Sequence, residues 1–352
     1  MCLYEEGVGG KSPWKSIREI RNIRGDLQKQ IKPMKEKLEK VYEKGDELFI
    51  IGFSRGASSA RVLVTELEKD GLRTAGGELV EKPPVKFLGC FDTVSMQVHE
   101  NAIDIIRNAK NKEITSSEVL DEVDGVPCSI VERAVHNLAL DDARCFNIPV
   151  PFPPVFMDST DERVNEVWFS GVHGDVGGNF YRRGISDCSG DYMREFMEDS
   201  GLTFLDANDL KPEAIKIPKH PELVVTPEDV GLVPNVDDTT HIEENKKNTS
   251  MRPVVTVSKD KIMEGGTVRV HKSVMEHLLA QRDMEHPYEY NENLKETDLV
   301  VVGALNKVLE DETKQFKELL GTTTGRVDVN YIDHDVDDEE AEVKVNALLA
   351  QE

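Results

Sequence analysis

The segment Gly52-Phe53-Ser54-Arg55-Gly56 constrains the fold of this chain more than any other. The run before it, Asp46 to Ile51, ends in apolar residues and predicts a buried strand. The run after it, Ala57 to Lys69, carries apolar residues at near-helical spacing and predicts a helix. A strand that turns this tightly into a helix needs small residues on both sides of the serine. The sequence therefore predicts an α/β fold with Ser54 at a strand-to-helix turn.

Ser54 is the candidate nucleophile of this turn, with Gly52 and Gly56 as its small neighbours. A G-x-S-x-G turn lifts the serine oxygen clear of the backbone and points it at a pocket. It also leaves the next amide, here that of Arg55, at a helix N-terminus, where it can stabilise an oxyanion. The alternative is a serine that only caps the helix of an ordinary strand-to-helix turn. The motif itself leaves both interpretations open.

A serine alcohol is a weak nucleophile that needs a base, usually histidine, and a group that orients this base. An apolar run that begins at Val85 ends in Asp92. A second apolar run, which begins at Glu166, enters a glycine-rich loop that carries His173. Because ligand sites in open α/β sheets lie at the carboxyl ends of the strands, we expect Ser54, Asp92 and His173 to converge there, across neighbouring strands. The alternatives are an Asp92 that caps a helix and a His173 that is an ordinary loop histidine with satisfied hydrogen bonds.

The loop around His173 contains further residues with a supporting role. We expect Asp175 to accept hydrogen bonds from loop amides, and Gly177 and Gly178 to support the loop. No metal site is expected there or elsewhere. The segment Asp333 to Asp337 resembles the start of a calcium-binding loop, but it lacks the glycine and the glutamate that such a loop needs at its sixth and twelfth positions. The sequence indicates no cofactor.

Three blocks, GFSRGASSAR, LGCFDTV and WFSGVHGDVGGNF, closely resemble the signature blocks of an uncharacterised α/β-hydrolase domain family. That family includes phospholipase effectors of the bacterial type VI secretion system and also many members that are not effectors. The resemblance covers about residues 4 to 294, in the same order. It implies a mostly parallel sheet flanked by helices, with Ser54 as nucleophile, His173 as base and Asp92 as orienting acid. Further blocks that resemble the family begin at Tyr4, Val135, Val270 and Tyr288.

The chain departs from the family pattern near its first residues. The family usually begins with a strand and a D-G-T-x-N loop, whereas this sequence starts at Met1-Cys2-Leu3-Tyr4 and shows neither. We expect one short strand near Cys2 to Tyr4, and no neighbour on one side of the strand that carries Ser54. The absent loop is also the expected donor of a second oxyanion amide. A second hypothesis is therefore a weakened or inactive hydrolase-like domain that serves as a binding or structural module.

Composition narrows the range of partners. The 352 residues carry a formal net charge of −24, which argues against nucleic acid because its phosphates would be repelled. Neither a signal peptide nor an apolar stretch of transmembrane length is visible, and five cysteines are scattered without a C-x-x-C pair. We therefore expect a cytoplasmic protein with reduced thiols, or secretion as an effector by a non-classical route, and a small-molecule or lipid ester as substrate. The oligomeric state is not indicated.

The expected organisation has three parts. An α/β-hydrolase core covers 1–200 and includes a helical insertion at about 101–140. An irregular continuation of the same domain covers 201–296, and a C-terminal helix with an acidic tail covers 297–352. Within these parts the sequence predicts helices at about 14–43, with a break near Pro33, at 186–198 and at 297–320. An extended proline-rich linker is expected at 149–154.

Overall fold

The structure, a computed structural model, describes residues 2–4, 23–94, 114–115, 128–142, 161–180, 183–205, 232, 234–237, 252, 254, 256–258, 261–263, 267–282, 284, 288–323 and 325. Several sequence predictions lie outside these residues. They are the first part of the N-terminal helix (14–22), most of the helical insertion, the proline-rich linker (149–154), the segment that resembles a calcium-binding loop (333–337) and the acidic tail.

A parallel sheet forms the centre of the fold. The strands found in the described residues are β1 (Leu48–Phe53), β2 (Leu72–Arg73), β3 (Leu79–Val80), β4 (Val85–Phe91), β5 (Ile114–Thr115), β6 (Ala134–Ala139), β7 (Val164–Phe169), β8 (Thr256–Ser258), β9 (Lys261–Met263), β10 (Val268–His271) and β11 (Leu299–Val302). Six of them pair in parallel in the order β1-β4-β6-β7-β10-β11. The others form a β2-β3 hairpin and a small antiparallel sheet in the order β5-β9-β8.

Helices cover both faces of the central sheet. The helices found in the described residues are α1 (Ile23–Glu39), α2 (Arg55–Asp70), α3 (His173–Val176), α4 (Gly184–Asp199), α5 (Lys272–Ala280) and α6 (Glu310–Thr322), with 3-10 turns at Glu292–Glu296 and Ala304–Asn306. Side chains alternate between the faces along a strand, so neighbouring residues of β4 identify the two layers. Leu88 packs in a core cluster with α1 and α2, whereas Phe87 packs in a cluster with α4. The fold is therefore α/β-hydrolase-like, with a parallel sheet between helical layers.

β1 lies at one edge of the sheet, and this position leaves part of its apolar surface exposed. Every residue of β6 and β7 is buried, whereas most of β1 is half-buried and Ile51 is 47 % exposed. Among the described residues, β4 is the one strand that pairs with β1. This agrees with the expectation that the strand before Ser54 lacks a neighbour on one side. The apolar sequence of β1 is nevertheless typical of a strand covered on both faces.

Two predictions for the N-terminal region are wrong. Residues Cys2 to Tyr4 form no strand, and α1 continues through Pro33 without the expected break. A proline inside a helix removes one hydrogen bond and costs about 3 kcal/mol. Tertiary packing offsets this cost, because Ile31 is buried in the cluster that joins α1 to α2. Most helical stability in proteins comes from such packing rather than from local propensity.

Predictions further along the chain are corrected in the same way. The helical insertion does not extend to residue 140, because Ala134–Ala139 is the central strand β6. The continuation at 201–296 is not irregular throughout, since it contributes β10 and α5. The helix expected from Thr297 begins only at Glu310, because Leu299–Val302 forms β11. A short apolar run fits a buried strand and a buried helix equally well, and only pairing with a neighbour decides. The helix expected at 186–198 is confirmed as α4.

Candidate active site

Ser54 lies at the turn between β1 and α2 with a strained backbone. Its φ and ψ are 58° and −126°, a conformation that costs a non-glycine residue about 1–3 kcal/mol. Its amide donates to the Phe91 carbonyl at 3.0 Å, which ties the turn to the end of β4. Ser54 occupies the N-cap position of α2, but its side chain makes no capping hydrogen bond to that helix, all of which the structure describes. The hydroxyl is therefore not used to cap the helix.

The two glycines around Ser54 contribute differently to this turn. A Cβ on Gly52 would lie 2.3 Å from the Gly56 carbonyl oxygen, so a side chain at Gly52 would collide with backbone. A Cβ on Gly56 would meet no heavy atom of the described chain within 4 Å. Gly52 therefore permits the close approach of β1 to the first turn of α2. Gly56 leaves open space beside that first turn.

Asp92 follows β4 and is completely buried. Its φ of 38° is left-handed, like that of Ser54. The two residues follow the paired strands β1 and β4. The Asp92 amide donates to the Asn137 carbonyl at 2.7 Å, which ties it to β6. Its Oδ1 accepts a hydrogen bond from the Ala139 amide at 2.9 Å, and its Oδ2 lies 2.6 Å from Nδ1 of His173. The carboxylate is thus used by these contacts and not by a helix cap.

The Asp92 carboxyl group is ionised, and this fixes the tautomer of His173. Burial works to raise the pKa of Asp92, but the charge of Arg252 and the hydrogen bond from His173 outweigh it and hold the pKa well below its usual range. A carboxylate only accepts hydrogen bonds, so Nδ1 of His173 carries the proton and donates it to Asp92. Nε2 of a neutral His173 is then a proton acceptor, which is the state that a general base needs.

His173 is the first residue of α3, a single helical turn, and not a loop residue as the sequence suggested. Phe53, the residue before Ser54, stacks on the His173 ring with 4.5 Å between the ring centroids. The Phe53 ring also lies so close to Gly177 that a Cβ there would be 2.0 Å from it. The absence of a side chain at Gly177 therefore lets the end of β1 pack against the turn that carries His173.

Asp175, Gly171 and Gly178 determine how the chain enters and leaves α3. Asp175 is buried, and its Oδ2 accepts a hydrogen bond from the Val172 amide at 3.0 Å. Gly171 has a φ of 99°, and a Cβ there would lie 2.5 Å from Cβ of Asp175. Gly178, just after α3, has a φ of 73°. Both glycines adopt conformations that other residues reach only with strain, so the chain can turn sharply before and after the helix.

The candidate residues do not follow three neighbouring strands, because β6 lies between β4 and β7. Asp141, just beyond β6, binds the segment between β7 and His173: its Oδ2 accepts a hydrogen bond from the Gly171 amide at 2.6 Å. The same oxygen accepts from the Tyr288 hydroxyl at 2.6 Å, and Oδ1 accepts from the Asn291 amide at 3.0 Å. Burial raises the pKa of Asp141 to about 7. Sequence analysis assigned no role to Asp141.

Arg252 is a second functional candidate that the sequence did not reveal. It is buried, and its Nη1 donates to Asp92 Oδ1 at 2.5 Å and to the Ala139 carbonyl at 3.1 Å. Its Nη2 donates to Asp142 Oδ2 at 2.6 Å. The guanidinium group therefore bridges the candidate orienting acid to another buried carboxylate. Arg252 lies in a polar, proline-punctuated stretch with no motif or periodicity, so no sequence signal pointed to it.

A buried histidine fixes the segment that follows Asp92. Nε2 of His136 accepts a hydrogen bond from the Thr93 amide at 3.1 Å, so its proton is on Nδ1, which donates to Glu166 Oε1 at 2.9 Å. Burial lowers the pKa of His136 in spite of the neighbouring carboxylate. His136 is completely buried and both ring nitrogens are engaged. These contacts suit a structural support better than a second base.

The described residues contain no group of three or more histidine, cysteine, aspartate or glutamate side chains arranged to hold a metal ion. None of their helices has the length and apolar character required to cross a membrane.

Comparison with known families identifies the chain. A family model described as "T6SS, Phospholipase effector Tle1-like, catalytic domain" matches residues 1–81 and 73–196. Together these segments span more than half of the sequence. The chain belongs to the Tle1-like phospholipase effector family. The matched region of this Tle1-like chain contains Ser54, Asp92 and His173, whereas Arg252 lies beyond it.

Solved structures similar to the Tle1-like chain are distant. One is the crystal structure of an uncharacterized protein from Pseudomonas aeruginosa, which is 21% identical with a TM-score of 0.30, over 57% of this chain and 30% of that one. Another is the structure of the Tle1 effector bound to the VgrG spike from the type VI secretion system, which is 21% identical with a TM-score of 0.23, over 37% of this chain and 24% of that one. The chain thus spans less than a third of the length of either structure. No curated protein matches it.

Proposed function

We propose that this chain is a serine hydrolase of carboxylic esters, with the acyl esters of lipids and phospholipids as its substrate class. The observation that carries the proposal is the 2.6 Å contact between Asp92 Oδ2 and His173 Nδ1. This contact lies at the carboxyl ends of the parallel strands, where Ser54 also lies. Ser54 and Asp92 follow adjacent strands in left-handed conformations. Strain of this kind persists only where the surrounding structure enforces it, and it concentrates at functional sites. Ser54, His173 and Asp92 are the proposed nucleophile, base and orienting acid.

In the proposed reaction, Ser54 Oγ attacks the acyl carbonyl carbon while Nε2 of His173 accepts the hydroxyl proton. Asp92 accepts the Nδ1 hydrogen bond and stabilises the imidazolium ion that forms. The tetrahedral intermediate collapses as His173 returns the proton to the leaving alcohol, and the acyl group stays on Ser54. A water molecule, deprotonated by His173, then attacks the acyl-enzyme. This second step releases the carboxylic acid and restores the serine.

The Arg55 amide is the proposed donor to the oxyanion of the tetrahedral intermediate. Arg55 is the first residue of α2. The first amides of a helix have no partner within the helix, and the helix dipole adds partial positive charge at this end. Removal of one oxyanion donor typically lowers kcat by about 100- to 1,000-fold. The strained conformation of Ser54 is the means by which hydroxyl and amide would both face the substrate.

The lipid substrate class rests on membership of the Tle1-like phospholipase family. The formal net charge of −24 opposes binding to an anionic membrane surface. We therefore propose phospholipids with zwitterionic head groups as the better substrates. Delivery through the type VI secretion system, as an effector, belongs to the same proposal.

Labelling with a fluorophosphonate probe tests the proposed nucleophile, because the probe reacts with activated serines. The wild type should be labelled and should hydrolyse short-chain p-nitrophenyl esters. Ser54→Ala should abolish both. Ser129→Ala is the matched control. Ser129 precedes β6, is not a member of the proposed triad and donates to Glu68 at the surface, so the variant should be labelled like the wild type.

The outcomes separate the two functional hypotheses. Equal labelling of the wild type and Ser54→Ala would refute the assignment of Ser54. A folded wild type with neither labelling nor hydrolysis, of p-nitrophenyl esters or of phosphatidylcholine vesicles, would favour the alternative of an inactive hydrolase-like binding or structural module. Circular dichroism of each variant shows whether it is folded.

A further inference from the structure

Arg252 connects the Asp92–His173 pair to a second buried acid. Its side chain is 2 % exposed, and each of its two terminal nitrogens donates to a different acid: Nη1 to Asp92 and Nη2 to Asp142. The Asp92 and Asp142 side chains are equally well buried. Two carboxylates in such an environment need a shared cation, because a buried charge without a partner is costly. The planar guanidinium group suits this bridge, since its donors are held in a rigid fork.

The backbone of Arg252 is anchored independently of its side chain. The Arg252 amide donates to the Asp142 carbonyl at 3.2 Å. The Arg252 carbonyl accepts hydrogen bonds from the side-chain amides of Asn291 at 2.7 Å and Asn293 at 3.2 Å. The guanidinium group therefore starts from a fixed position. Replacement of the side chain alone leaves these backbone bonds in place.

We infer that Arg252 is a positioning residue for the proposed triad: it holds Asp92 Oδ1 so that Oδ2 faces His173. The positive charge of Arg252 also competes with His173 for the negative charge of Asp92. This inference rests on the proposed function. Asp92 Oδ1 is held from two sides, by Arg252 and by the Ala139 amide, which fixes the rotation of the carboxylate. The orientation of Asp92 in turn fixes the His173 ring, because Oδ2 of Asp92 accepts a hydrogen bond from Nδ1 of His173.

Other charged or titratable groups surround this pair and must stay unchanged in the test. Asp142 lies beyond the guanidinium group. His136, paired with Glu166, lies beneath Thr93. Asp141 and Asp175 accept hydrogen bonds from the amides of Gly171 and Val172, in the segment that leads to His173. A substitution confined to Arg252 leaves all of these groups in the sequence, so a change in the titration of His173 can be assigned to the lost cation.

The direct measurement is an NMR titration of His173 in protein labelled with ¹³C at histidine Cε1, with the signal assigned from the His173→Gln spectrum. Arg252→Gln removes the charge but keeps a polar side chain. Asp92 then acts on His173 without a competing cation, so the His173 signal should titrate at higher pH than in the wild type. Because His173 must be neutral to accept the serine proton, the acidic limb of kcat/KM should move in the same direction.

Two further variants separate charge from geometry. Arg252→Lys keeps the charge but loses the fork, so we expect kcat to fall roughly 10- to 100-fold while the His173 titration stays close to that of the wild type. Arg163→Gln is the control. Arg163 also pairs with an aspartate, Asp161, and also donates to backbone carbonyls, but it lies just before β7, at the opposite end of that strand from His173. This variant should leave both the titration and the pH profile unchanged.

Each outcome bears on the inference. An Arg252→Gln variant that titrates and turns over like the wild type overturns it. If that variant does not fold, Arg252→Lys decides, and wild-type kcat in that variant refutes the positioning role. A wild type that no fluorophosphonate labels would refute the proposed function alone, because the His173 titration still reports the effect of Arg252.

Discussion

Oδ2 of Asp92 and Nδ1 of His173 lie 2.6 Å apart, although β6 separates the strands β4 and β7 that precede these residues. The segment after β7 lies against the end of β6, where the Asp141 amide donates to the Gly171 carbonyl at 3.1 Å. Gly171, at a φ of 99°, permits the chain to turn there, and its hydrogen bond to Asp141 fastens the turn. The geometry of the pair therefore depends on residues outside the proposed triad.

Alanine substitutions at the two glycines beside Ser54 should have opposite consequences. Gly52→Ala places a Cβ 2.3 Å from a backbone oxygen, and we expect it to destabilise the protein by about 1–3 kcal/mol or more and to abolish fluorophosphonate labelling. Gly56→Ala enters open space within α2 and should stabilise the helix by about 0.5–1 kcal/mol. Urea unfolding and probe labelling measure both effects. Equal destabilisation by the two substitutions would contradict the geometry of this turn.

Members of the proposed triad should act as a unit. Ser54→Ala and His173→Ala should each reduce ester hydrolysis to a similar residual rate, and the double variant should be hardly worse than either. Asp92→Asn should retain more activity, because it changes the tautomer and orientation of His173 but leaves the attacking pair in place. Steady-state kinetics of the four variants measure this. Losses in the double variant that equal the product of the single losses would show that the residues act independently.

The stability of the protein should depend on the ionisation of Asp141. Burial raises the pKa of Asp141 to about 7, so the folded state binds a proton between about pH 4 and 7 that the unfolded state has released. The contribution of this group to stability is therefore fully present at low pH and is lost as the pH rises through about 7. We expect the free energy of unfolding of the wild type to fall over this window relative to Asp141→Asn. Urea unfolding of both proteins from pH 4.5 to 8 tests this, and a constant difference between them would contradict it.

Two buried tyrosines should respond oppositely to removal of the hydroxyl group. The Tyr192 hydroxyl is buried and has no hydrogen-bond partner among the described residues, whereas the Tyr288 hydroxyl donates to Asp141. We expect Tyr192→Phe to be neutral or to stabilise the protein by about 1 kcal/mol, because it removes an unsatisfied group. Tyr288→Phe should cost about 1–3 kcal/mol, because it removes a donor to a buried carboxyl group. Thermal and urea unfolding check both values, and a larger loss for Tyr192→Phe would be inconsistent with this account.

Local patterns in the sequence were sufficient to predict the strand and helix around Ser54, because the signal there is contained within consecutive residues. β1 and α2 lie where the apolar run and the helical spacing indicated. The same reasoning located β4 before Asp92 and β7 before His173. It failed for β6 and β11, whose short apolar runs carry no period that separates a strand from a helix. Those strands are defined by parallel pairing with their neighbours.

Side-chain chemistry and periodicity are local properties, so the sequence was enough to place three candidate residues after strands of an α/β fold. The contacts that hold these residues depend on the tertiary structure. Arg252 contacts Asp92 across 160 positions of the chain, and Tyr288 contacts Asp141 across 147. Arg252 stands in no pattern that distinguishes it from any other arginine. Tyr288 begins a block that resembles the family, but that block does not indicate a contact with Asp141. Their roles arise because folding removes water from the carboxyl groups of Asp92 and Asp141. A buried carboxyl group is costly unless another residue binds it, and that residue can come from any part of the chain that packs nearby.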